Sequence, residues 1–194
     1  MLKLSKLFKS ATENSLKKKL NTIVKYCDSK VSTGSLNIVS VANQAEYIYF
    51  MSTVDKGVSV VWIDMVCPAT YKMLAFIQID MGKVDSAVNN LEKAIEMAPL
   101  WAEPHAELGY IMNKAGNFKK AETSYKYAIK LADQFESSKN LKPIALRGLG
   151  FALTELGDLD GAQKAYEESL LLEPENANAL GELKYIDELW ARHQ

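Results

Sequence analysis

The chain has 194 residues, 48% hydrophobic and 24% charged, with a formal net charge of −1, the composition of an ordinary globular protein of one domain or two small parts. The balance hides an asymmetry: residues 1–30 hold eight lysines against two acids, and the remainder holds fifteen Lys/Arg against twenty-two Asp/Glu. An acidic body argues against a nucleic-acid platform, which needs positive charge to displace counterions, and no stretch approaches the roughly 18 apolar residues of a membrane span.

The N-terminus, MLKLSKLFKS, sets a lysine at every third position. It has neither an uninterrupted apolar core nor a small-residue cleavage site, so it is not read as a secretory signal, and a cytoplasmic location is expected. Residues 2–26 are expected to form an amphipathic helix on Leu2, Leu7, Leu16, Leu20, Ile23 and Val24. Its basic face suits a membrane surface, but a packed first helix with solvated lysines is the preferred reading. Cys27 and Cys67, forty residues apart, make no disulfide framework and no zinc site; they are expected as buried, reduced thiols.

STGS marks a loop, and three runs follow, LNIVSV, EYIYFMSTV and VSVVWIDM, with turn signals at Asn43–Gln44 and Lys56–Gly57. These β-branched and aromatic runs fit strands, but short apolar runs do not separate strand from helix. NQAEYIYFMSTV leans to helix, and 58–65 is taken as extended. The segment is too apolar for a disordered leader, so it must bury itself on the helices that follow.

From Gly82 a pattern recurs. GKVDSAVNNLEKAIEMAP, GNFKKAETSYKYAIKLAD and GDLDGAQKAYEESLLLEP begin at Gly82, Gly116 and Gly157. Upstream of each glycine stand a leucine (Leu74, Leu108, Leu149) and then a small residue (Ala75, Gly109, Gly150), on one apolar helical face. Each glycine supplies the positive φ that ends this first helix. A second helix then carries Ala87, Leu91 and Ala94; Ala121, Tyr125 and Ala128; Ala162, Tyr166 and Ser169. Steps of four and three keep each trio on one face, so small residues on both helices permit close approach. Pro68, Pro104 and Pro143 fall in first turns, where the missing N–H costs nothing, and Pro99 and Pro174 follow second helices. The first two glycines are 34 residues apart and the next two 41. The extra seven, about two helical turns, are expected to lengthen the flanking helices around LADQFESSKNLKP.

This helix–turn–helix resembles the tetratricopeptide repeat, in three copies over residues 68–176. The resemblance implies an all-α, right-handed α-solenoid. Repeats would span 68–101, 102–142 and 143–176, within a repeat domain over 68–194. Residues 1–67, a basic helix and an apolar segment with possible short extended pieces, would pack on the repeats. ENANALGELKYIDELWARHQ begins like another first helix, with Leu180 and Leu183 in place, but Lys184 replaces the small residue; residues 177–192 are expected as the polar-faced cap that ends a solenoid.

No catalytic motif accompanies the repeats: there is no HExxH, GxSxG, phosphate-binding glycine loop or paired Cys-x-x-Cys. Of two histidines, His193 is penultimate and His105 stands where the repeat has a core aromatic, so His105 is read as packing. No enzyme activity, cofactor or metal is expected. The resemblance instead places function on the concave face of the first helices. Its ninth position is aromatic each time, Phe76, Tyr110 and Phe151, with Tyr185 in the cap; Lys72 and Arg147 hold its fifth position in two repeats. These six residues are the candidate partner-binding groove. Aromatics suit it because they bury large area with few rotors to freeze; the same row also suits packing against the chain's own segment.

The carboxylate clamp by which co-chaperones of this family hold heat-shock chaperone tails is not expected, because its positions fall on Lys72, Phe76, Glu107, Ile144 and Gly148, and only Lys72 matches. The leading expectation is a non-enzymatic adaptor that binds a peptide or partner segment. One alternative is a dedicated chaperone, similar to the tetratricopeptide chaperones of type III secretion, or an immunity-type inhibitor of one protein. Another is a scaffold whose groove residues 31–67 fill. No nucleic acid or membrane span is expected, and a homo-oligomer stays open.

Overall fold

The computed structural model describes residues 18–192. Residues 2–17 of the helix expected over 2–26, and His193, lie outside the described residues. The chain divides into two compact units, Met1–Pro99 and Leu100–Gln194.

In the first unit, α1 (18–27) is helical and buries Leu20, with Ile23 and Val24 packed on the core. Strand β1 (Leu36–Val39), helix α2 (Gln44–Thr53) and strand β2 (Ser59–Trp62) follow. The strands pair in parallel, Leu36 beside Ser59 through Val39 beside Trp62, so α2 is the crossover of a small β-α-β unit. The helix over NQAEYIYFMSTV and the extended 58–65 are therefore as read from the sequence. Asn43 is a helix start: its side chain accepts from the Glu46 amide at 3.0 Å, and Glu46 accepts from the Ala42 amide and the Asn43 side chain, both at 2.8 Å. This reciprocal cap leaves Glu46 buried without a lost hydrogen bond. Asn43→Ala should cost about 0.5–2 kcal/mol of stability, measured by urea unfolding.

The repeat's hairpin closes this unit as α3 (Val66–Asp80) and α4 (Val84–Met97). The Ser40 amide donates to the Met97 carbonyl at 2.7 Å, so the chain after β1 caps the end of α4, and the Ser40 hydroxyl donates to the Asp64 carbonyl at 2.8 Å. The expectation of free thiols fails here. Cys27 and Cys67 form a disulfide, with Cα atoms 5.5 Å apart, inside the ordinary range for such a bond. The last turn of α1 packs on the first turn of α3, and both sulfurs lie in a core with Tyr71, Ala94 and Met97. Beside it the Tyr71 hydroxyl donates to Asp28 at 2.6 Å and Lys93 pairs with the same oxygen at 2.7 Å. Lys93 first, then Tyr71, holds the Asp28 carboxyl below its usual range.

The second unit is α5 (Ala102–Lys114), α6 (Phe118–Gln134), a 3-10 turn (Glu136–Leu141), α7 (Lys142–Glu155), α8 (Leu159–Leu172) and α9 (Ala177–Arg192). Helices α5 and α6, then α7 and α8, pair as hairpins; α6 packs on α7 and α8 on α9. The trios predicted for the second helices are buried in all three repeats, none more than 4% exposed. The repeat glycines Gly82, Gly116 and Gly157 have φ of 71°, 73° and 80°, and the amide three residues past each first helix bonds back five residues, as Asp158 does to Leu153 at 2.9 Å, the Schellman closure. Close approach is explicit in two hairpins. A Cβ on Gly109 would meet the Tyr125 ring at 2.9 Å, and one on Gly150 the Tyr166 ring at 2.8 Å.

Two expectations change. The seven-residue insert lengthens α6 only to Gln134; Phe135, with φ −124° and ψ 121°, breaks the helix and buries its ring, and the rest winds as the 3-10 turn. In α9 the core residues are Ala179 and Ile186, whereas Leu180 is half exposed. Among the described residues α9 packs on α8 and α7, and the side carrying Leu180 is left open by both.

Candidate functional site

In the second unit the first helices of the hairpins, α5 and α7, stand beside α9. Between them opens a cavity of about 560 Å³. Tyr110 and Phe151, predicted as groove aromatics, line it, and 50% and 38% of their surface stays exposed. Asn178 and Glu182 on α9, Lys114 on α5 and the rims of Tyr125 and Tyr166 complete the wall. The ninth-position spacing puts Tyr110 and Phe151 on the open side because their neighbours, Gly109 and Gly150, turn inward against tyrosines of the second helices. Phe118 meets Phe151 edge-on, with ring centroids 6.1 Å apart, and steadies it.

Arg147 also reaches the cavity, but its guanidinium is engaged. It pairs with Glu173 at 2.5 Å and donates to Ser169 at 3.1 Å, and only 19% of its side chain is exposed. Through Nη1 it ties α7 to the end of α8. Tyr185 is exposed on α9 without lining the cavity. Phe76 and Lys72 belong to the first unit, where both lie on α3, Phe76 is half exposed, and the Lys72 ammonium is 5.9 Å from its ring. His105 is buried with its ring 4.5 Å from Tyr127, the packing role expected.

Sequence reasoning missed the acidic wall. Glu182 is half-buried in the cavity, and burial first, then the charge of Glu155, raises its carboxyl above the usual range. The Tyr166 hydroxyl is pushed up by burial, then by the same two carboxylates. The signal was present, since both acids occupy groove positions of first helices, but it lay among many surface glutamates. Asn113, also on the wall, donates from its side-chain amide to the Gly148 carbonyl at 2.9 Å.

Profiles of the tetratricopeptide repeat match residues 69–99 and 143–176. Solved structures agree. The first tetratricopeptide domain of Spaghetti (RPAP3), bound to the HSP90 peptide SRMEEVD, is 25% identical, with a TM-score of 0.60 over 66% of this chain and 97% of that one. The second such domain of human RPAP3, in complex with the HSP70 peptide SGPTIEEVD, is 26% identical, with a TM-score of 0.55 over 62% and 98%. MamA, at 22% identity and a TM-score of 0.57 over 64% and 68%, shares the fold. No curated protein matches the chain. The chain carries tetratricopeptide repeats, helical hairpins of a fold that serves as a protein-interaction scaffold. No described helix is long and apolar enough to cross a membrane.

Proposed function

We propose that the chain is a non-enzymatic adaptor that binds an extended peptide or partner segment against its first helices. The observation that carries this reading is the exposure of Tyr110 and Phe151 on one cavity wall, where large rigid side chains are open to solvent beside a concave surface. Phe76, Tyr185 and Lys72 are proposed as further contacts, and Arg147 as a brace of the wall. Support also comes from the RPAP3 domains, which hold peptides on the same fold. The ligand here is of another kind. Where an acidic tail would need donors, this chain offers Glu107, Ile144 and Gly148.

Phe76→Ala combined with Phe151→Ala should weaken binding of a captured peptide tenfold or more, since a buried aromatic anchor is worth at least about 1.4 kcal/mol, with an unchanged far-ultraviolet circular dichroism spectrum. Unchanged affinity in the folded double variant would refute the groove. Compartment bears on the same protein. The cytoplasmic location expected from the sequence and a standing Cys27–Cys67 bond pull in opposite directions, because cytosolic thiols are held reduced.

A further inference from the structure

We infer that the cavity of the second unit selects a segment bearing a lysine or arginine, seated beside Phe151 and against the carboxylates of Glu155 and Glu182. This rests on the groove reading and adds the chemistry of its ligand. The cavity has an apolar floor of aromatic rims, Lys114 and Arg147 on α5 and α7, and an acidic end on α9. Glu182 lines that end, and Glu155 closes the last turn of α7, one helical turn on from Phe151 and near enough for its charge to be felt by Glu182. Among the described residues neither forms an ion pair.

Two nearby cations are already paired: Arg147 is held by Glu173, and Lys142 pairs with Asp133. Lys114, which also lines the cavity, lies 5.6 Å from the Tyr110 ring. Two carboxylates that repel each other in a partly desolvated site are relieved by one incoming cation, and a charged hydrogen bond there is stronger than in water. The exposed face of Phe151 attracts the same cation through its ring quadrupole. The surroundings agree in sign: residues 142–192 hold ten acids against five Lys/Arg, which speeds the approach of a basic segment. An acidic tail would meet repulsion at this end.

The test uses the full chain and a randomised heptapeptide library as probe. Wild-type protein should retain peptides enriched about tenfold or more in Lys/Arg over Asp/Glu. That preference should fall to parity in the Glu155→Gln/Glu182→Gln variant, while enrichment of apolar residues persists. A wild-type pool with no charge preference, or with a preference for acids, would overturn the cation inference and leave the groove intact. A pool no different from that of the Tyr110→Ala/Phe151→Ala variant would overturn the groove and the cation site together.

Discussion

Gly150→Leu is expected to destabilise the second unit by about 1–3 kcal/mol or more. The glycine sits inside α7, where leucine would gain about 1 kcal/mol in helix propensity. That gain is outweighed because a Cβ alone would come within 2.8 Å of the Tyr166 ring, which is 2% exposed and would have to leave its packed position to admit a leucine. Gly181, in α9, is the control. It is exposed and a Cβ there meets nothing within 4 Å, so Gly181→Leu should be neutral or stabilising. Urea unfolding of both variants reads the two signs; two neutral results would mean that α7 and α8 do not meet through Gly150 and Tyr166.

Loss of the Cys27–Cys67 bond is expected to cost the first unit about 4 kcal/mol, the loop-closure value for a link across some 40 residues. Cys27→Ser should show this loss without added reductant, and the wild type should match it in dithiothreitol. The bond holds α1 to α3 across the whole β-α-β segment, so its loss should release α1 and leave the α5–α9 hairpins folded. Hydrogen exchange by mass spectrometry resolves the two units. Equal protection of residues 18–60 with and without the bond would contradict the expectation. Alkylation of the protein before extraction from its own cells reports whether the pair is oxidised there.

The repeats were legible because their determinants are local. A glycine at the helix end and small residues three and four apart specify a close hairpin whatever surrounds it, and Ala121, Tyr125 and Ala128 are buried as that spacing requires. The disulfide was not legible, because its geometry depends on the parallel pairing of β1 and β2, a contact between segments far apart in the chain. Asn43 illustrates a smaller gap. Asn followed three residues later by Glu fits both a turn and a helix cap, and the capping bonds decide it. At the site, the repeat register located Tyr110 and Phe151 on one wall. It did not foresee the bond from Arg147 to Glu173, 26 residues away on the turn after α8, and it passed over Glu182, whose character comes from burial beside Glu155.

If the open aromatics of the first helices bind a partner, removing them together releases it. The most direct measurement compares partners captured from a native lysate by the wild-type chain and by the Phe76→Ala/Tyr110→Ala/Phe151→Ala/Tyr185→Ala variant, with folding of the variant checked by thermal melting. The account predicts a stoichiometric partner on the wild type that the folded variant loses. A partner held equally by both would contradict it and move binding to the outer faces of the hairpins or to the β-α-β segment.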